Sequence, residues 1–165
     1  MQKGEYLYSF RNGVCVIKLT GSLTYAESGK FARFVDKIFE NTPIPIIVID
    51  LIDANSLDST NLGILAKIAS TTLIRARQKT VMISPKPDIN RVLKSMRFND
   101  VFRIVHSSEL PESEMKEMPQ ADVSEHELAR IVLDVHRTLM ELNESNRAAF
   151  KNVVQFLEKE IDNQE

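Results

Sequence analysis

The chain of 165 residues is poor in the features that mark secreted and membrane-spanning proteins. A single cysteine, Cys15, excludes a disulfide framework and a zinc site built on cysteines. No apolar run approaches the roughly 18 residues that a membrane-spanning helix needs. Residues 1–5 lack the apolar core of a signal peptide. The sequence therefore predicts a soluble, cytoplasmic protein.

The short motifs of common enzymes are missing as well. The chain has no glycine-rich phosphate loop, no GxSxG elbow and no HExxH helix. The chain has three histidines, His106, His126 and His136, and they do not have the spacing of metal ligands. The residues that flank them do not support a role as a phosphorelay histidine. Three aspartates near the chain centre favour loop and helix-capping roles over a magnesium site: Asp50, Asp53 and Asp58. We therefore expect that the protein is not an enzyme and that it binds neither a metal nor a cofactor.

Charge is distributed unevenly along the chain, although the net charge is only −2. Residues 1–108 hold 15 Lys/Arg and 9 Asp/Glu, whereas residues 109–165 hold 6 and 14. This asymmetry can steer the acidic part onto the basic part, or it can reflect ordinary solvated helix surfaces. No helix-turn-helix or aromatic stacking run accompanies the basic residues, so we expect no direct nucleic-acid binding.

The hydrophobic pattern of residues 1–108 alternates between strand and helix periods. It predicts strands at about 6–10, 14–19, 46–49, 80–84 and 101–105, and helices at about 25–40, 59–77 and 87–96. The turn Arg11-Asn12-Gly13 joins the first two strands as an antiparallel hairpin. The later crossovers imply parallel pairing. The expected fold is α/β, a mixed β-sheet flanked by helices.

The remainder of the chain reads as an addition to this domain. Residues 109–123 form an acidic linker with two prolines, and residues 124–165 form a helical extension that begins at the capping box Ser124–Glu127. The apolar rhythm predicts either one long helix with a coiled-coil seam or a helical hairpin broken near Asn143. Either form needs a surface to pack on, because a lone amphipathic helix is marginal in water. That surface is the chain's own domain, a second copy in a homodimer, or another protein.

The most informative segment is Val48–Leu65. An apolar run ends in a polar loop, and Asp58-Ser59-Thr60 then opens an amphipathic helix. This places two hydroxyls at a helix N-terminus, where unpaired N–H groups and the positive dipole end lie. A phosphate added there changes the local charge by about −1.5 to −2. The triplet is a candidate switch, and simple helix capping by Asp58 is the alternative.

The segment Leu57–Gly63 resembles the signature of STAS-domain anti-sigma factor antagonists, in which a hydrophobic strand leads into Asp-Ser-Ser/Thr-Gly-Leu-Gly. Gly21-Ser22-Leu23 and Ser84-Pro85 are also similar to that family, and the resemblance covers residues 5–107. It departs at Asn61, where glycine is usual; asparagine tolerates the positive φ of a turn. The extension resembles that of the longer HsbA-type antagonists.

The resemblance implies a phosphorylation switch rather than catalysis. It assigns the phosphoacceptor to Ser59, with Thr60 as the second choice. Implied partners are an anti-sigma factor or serine kinase of the histidine-kinase-like ATPase type, and an opposing serine phosphatase. The expected partner-binding residues are Ser22, Leu23, Asp53, Asp58, Ser59, Thr60, Asn61 and Leu62. Two alternatives stay open: a constitutive STAS-type subunit, for example of a transporter complex, and a sensor of a nucleotide or small ligand.

Overall fold

The computed structural model describes residues 2–108, 110 and 114–164. Its strands are β1 (Glu5–Arg11), β2 (Val14–Leu23), β3 (Ile46–Asp50), β4 (Ala54–Leu57), β5 (Thr80–Ile83), β6 (Phe102–Val105) and β7 (Lys116–Glu117). Its helices are α1 (Ser28–Phe39), α2 (Ser59–Ala76), α3 (Pro87–Ser95), α4 (Glu125–Leu142) and α5 (Glu144–Gln164). The predicted α/β class, a mixed sheet with flanking helices and a helical C-terminal part, is confirmed.

The strands form one sheet in the order β6-β5-β3-β2-β1-β7. Strands β1 and β2 pair antiparallel across the turn at Asn12-Gly13, as the sequence predicted. The pairs β2–β3, β3–β5 and β5–β6 are parallel, because each connection crosses over through a helix. Strand β3 thus lies inside the sheet, between β2 and β5. Ile47 and Ile49 are buried and Val48 is half-buried, whereas Ile46 at the start of the strand is exposed.

Two strands were not predicted. Strand β4 pairs parallel with the end of β2, which runs four residues past the predicted end at Leu19. Its side chains Asn55 and Ser56 are exposed, so it lacks the apolar pattern of a strand. Strand β7 lies in the predicted linker and pairs with β1, next to the buried Met118. The predicted linker also includes residues 109 and 111–113, which lie outside the described residues.

The C-terminal part is a helical hairpin, which decides between the two forms that the sequence left open. Helix α4 ends at Leu142, and α5 starts two residues later. The Asn143 side chain caps α5 by accepting a hydrogen bond from the Asn146 N–H at 2.8 Å. Both asparagine side chains also donate to the Met96 carbonyl, each at 3.2 Å. The polar residue in the apolar seam, Asn146, therefore ties the hairpin turn to the end of α3.

The hairpin packs on the chain's own domain, mainly through α4 against α2. Val135, Leu139 and Phe150 belong to the same buried cluster as the sheet residues. At the rim, Arg33 of α1 pairs with Glu127, and Lys67 of α2 lies 3.8 Å from Asp134. The basic and acidic parts of the chain thus meet across this interface. Within the described part of the chain, no helix has the length and apolarity to cross a membrane.

Candidate functional site: the first turn of helix α2

The end of strand β2 fixes the loop that leads into α2. Gly21 has φ of 70°, a conformation that a β-carbon disfavours, and its N–H donates to the Asp53 carbonyl at 2.9 Å. A Cβ at this position would also lie 2.5 Å from the Lys3 carbonyl oxygen. Two residues on, the Leu23 carbonyl accepts from the Asp58 N–H at 3.1 Å. The Gly21-Ser22-Leu23 segment therefore positions the residue that starts the helix.

Asp58 is the N-cap of α2. Its Oδ1 accepts from the Asn61 N–H at 3.0 Å and from the Asn61 side-chain amide at 2.8 Å. The backbone of Asn61 lies within α2, and it is not among the described residues with positive φ. Tolerance of a positive φ is thus the wrong reason for an asparagine here. Its side chain instead joins the cap to a neighbouring strand.

The other partner of Asn61 is Tyr6 of β1. The Tyr6 hydroxyl donates to Asn61 Oδ1 at 2.6 Å, and both residues are buried. Burial, together with the nearby Asp58 carboxylate, raises the pKa of the Tyr6 phenol well above its ordinary value. The phenol therefore stays neutral and remains a donor. The chain Tyr6–Asn61–Asp58 connects the sheet to the first turn of α2.

Tyr6→Phe is expected to destabilise the fold without disturbing the cap on α2. The substitution leaves Asn61 Oδ1 buried without its donor, which costs about 1–3 kcal/mol. The measurement is the midpoint of urea unfolding, compared with Tyr8→Phe on the same strand as the control. An unchanged midpoint would show that the hydrogen bond contributes nothing to stability.

Ser59 follows the cap as the first residue of α2 and is half-buried. Its Oγ lies 2.8 Å from Nε2 of His136, a residue of α4 that is 77 positions away in the chain. The Nδ1 of the same ring lies 2.6 Å from the Val132 carbonyl oxygen. A carbonyl only accepts, so Nδ1 carries the proton, and in the neutral ring Nε2 accepts from the serine hydroxyl. His136 is 3% exposed, and its ring meets Phe150 edge-on at 5.6 Å.

The comparisons with known proteins identify the family of the domain that carries Ser59. The family model described as STAS domain matches residues 7–110, well over half of the chain. The chain belongs to the STAS domain family. A solved structure, "NMR Structure of the protein TM1081", is similar at a TM-score of 0.52 and 22% identity, over 59% of this chain and 78% of that one. That likeness shows the fold alone. Comparison with curated proteins gives no match.

STAS domains are typically regulatory modules that act through protein–protein contacts rather than by catalysis. The first turn of α2 in this STAS domain offers a hydroxyl, a helix N-terminus and a carboxylate cap. A serine hydroxyl placed there can carry a phosphate, because N–H groups and the helix dipole favour negative charge. Ser59 has the partial exposure that this modification needs.

The other predicted contact residues differ in their access to solvent. Asp53 is exposed, and Ser22 and Asp58 are half-buried. Four are buried in this arrangement of the STAS domain and its hairpin: Leu23, Thr60, Asn61 and Leu62. A role for these residues in partner binding stays a prediction.

The remaining aspartates make an ion-pair cluster with a lysine. Lys18 Nζ lies 2.9 Å from Asp53 and 3.3 Å from Asp50. Burial works against the charge on Lys18, but the two carboxylates outweigh it and raise the pKa of this ammonium group. Within the described ranges, no group of three or more potential metal ligands is found. The cluster ties the end of β3 to the loop before β4.

Sequence reasoning missed the contact between Ser59 and His136. One signal was present, since His136 lies four residues after Val132 and next to Val135 on the apolar face of α4. A histidine on such a face marks a position that needs a polar partner. The identity of that partner depends on how the hairpin packs on the STAS domain.

Proposed function

We propose that this protein is an anti-sigma factor antagonist whose binding is switched by phosphorylation of Ser59. The unmodified protein binds an anti-sigma factor or a serine kinase of the histidine-kinase-like ATPase type and sequesters it. Phosphorylation releases that partner, and a serine phosphatase restores binding. The observation that carries this proposal is the place of Ser59: the partly exposed first residue of α2, directly after its Asp58 cap, in a STAS domain.

The size of the expected switch follows from electrostatics. A phosphate adds a charge of about −1.5 to −2 to the first turn of α2. An unpaired charge in a buried protein interface costs about 2–5 kcal/mol. That cost corresponds to a loss of affinity between roughly 30-fold and several thousand-fold. The dipole of α2 favours a negative charge at its first turn, so it offsets part of the cost of the phosphate there.

The test is mass spectrometry of the protein isolated from its native cells, before and after phosphatase treatment. We expect a phosphatase-sensitive gain of one phosphate that maps to Ser59. The Ser59→Ala variant should lose it, and the matched Thr60→Ala variant should keep it. A phosphate that maps to Thr60 would show that Thr60, and not Ser59, is the residue that is phosphorylated. Its absence under every growth condition that changes sigma-factor activity would count against the switch.

Partner binding separates this proposal from a constitutive STAS-type subunit. The comparison is between wild type and Ser59→Asp, with Ser56→Asp on the exposed side of β4 as the charge control. Equal partner binding by all three proteins would support the constitutive role.

A further inference from the structure

The surface proposed for the switch is already occupied by another part of the same chain. Helix α4 lies on the first two turns of α2, with His136 on Ser59 and Val135 on Gly63. A Cβ placed on Gly63 would lie 2.7 Å from both the Cβ and the carbonyl oxygen of Val135, so the two helix backbones are in close contact. A kinase or partner protein cannot reach Ser59 along this side while α4 is in place.

The docked position of the hairpin rests on several separate contacts. The asparagines Asn143 and Asn146 hold its turn at Met96, and the Lys67–Asp134 pair holds its flank at 3.8 Å. Lys67 is partly exposed, and exposed ion pairs contribute little. The apolar face of α4, including Val135 and Leu139, is buried in the same cluster as the sheet residues, and burial of apolar surface stabilises this position. The two helices also pack on each other through Leu133, Val154 and Ile161, so the hairpin can move as a unit.

Phosphorylation conflicts directly with this docked position. The phosphoryl group adds a phosphorus and three oxygens to Ser59 Oγ, and only 2.8 Å separates that atom from His136 Nε2. Two contacts oppose a rotation of the ring away from Ser59, the hydrogen bond of its Nδ1 to the Val132 carbonyl and the edge-on contact with Phe150. The phosphate and the docked α4 therefore compete for the same space.

We propose that the α4–α5 hairpin is an intramolecular cover of the Ser59 surface, and that phosphate on Ser59 and docking of α4 exclude each other. The phosphorylated protein thus has a released hairpin, and partner proteins compete with α4 for the first turns of α2. This inference rests on the proposed function for its biological role. It goes further by assigning the extension a part in regulating the site.

Hydrogen exchange of the full-length protein tests the cover. Phosphoserine is installed at position 59 during translation by codon suppression, so no kinase is needed. We expect amides of α4 and α5 to exchange at least tenfold faster than in wild type, while those of β3 and β5 keep their protection. Phosphoserine at the exposed position 107 is the control and should change neither set.

Two variants without phosphate extend the experiment. His136→Ala removes the contact with Ser59 and should also speed exchange in the hairpin, whereas Arg137→Ala removes only the exposed pair with Glu158. Unchanged or slower exchange of α4 with phosphoserine at 59 would overturn the proposal, since His136 would then hold the phosphate. Equal acceleration in β3 and β5 would overturn it too, because the hairpin would not separate from the domain. Neither result depends on finding the phosphate in cells, so the two proposals fail independently.

Discussion

Gly63→Val is expected to detach the α4–α5 hairpin while helix α2 stays folded. A Cβ at position 63 already lies 2.7 Å from the Val135 carbonyl oxygen, and valine adds two methyl groups to it. Backbone atoms cannot give way as a flexible side chain does, so the overlap is expected to cost about 3 kcal/mol at this interface, the upper end of the usual range for overpacking. Valine is a somewhat better helix former than glycine, and α2 itself is therefore not weakened.

Hydrogen exchange measures this effect separately in the hairpin and in the domain. A cost of about 3 kcal/mol corresponds to more than a hundredfold faster exchange of the α4 amides. The control is Ala76→Val, which adds a similar side chain at the exposed end of α2. Wild-type protection of α4 in Gly63→Val would contradict the close approach of the two helices at Gly63 and Val135.

Cys15 is expected to be alkylated at least about a thousandfold more slowly in the folded protein than in the unfolded chain. The thiol is fully buried in β2, and burial raises its pKa from an ordinary value near 9 to about 12. Only the thiolate reacts, and a raised pKa lowers the thiolate fraction at any pH below it. At pH 8 that fraction falls from about one tenth to about one ten-thousandth.

The measurement is the rate of iodoacetamide labelling at pH 8 in the folded protein and in concentrated guanidinium chloride. Cys15→Ser is the control and should take up no label, since the chain holds one cysteine. Similar rates in the two conditions would place Cys15 at the surface and contradict the position of β2 in the sheet.

Local patterns in the sequence were sufficient to predict most of the strands and helices in residues 1–108. The apolar run at Ile46–Ile49 predicted a strand, and β3 occupies this position between β2 and β5, although Ile46 itself is exposed. The Asp58 cap and the amphipathic residues after it predicted the start of α2 within one residue. These signals depend on residues that are close in the sequence, so they can be recognised without knowing the tertiary contacts.

Strand β4 was missed because its signal is not local. Its residues Asn55 and Ser56 are polar and exposed, and the strand exists because the end of β2 offers a pairing edge. The role of Asn61 was misjudged for a similar reason. Its hydrogen-bond partner, Tyr6, is 55 residues away in the chain.

The sequence by itself determined the STAS fold, the place of Ser59 at a helix N-terminus and the amphipathic character of the extension. Only the tertiary structure decided which surface the extension covers. An apolar seam fixes which face of a helix is buried but not what buries it, because hydrophobic burial is not directional. Contacts between residues far apart in the sequence determine which surface the extension covers. These contacts are the close approach of Val135 to Gly63 and the hydrogen bond between Ser59 and His136.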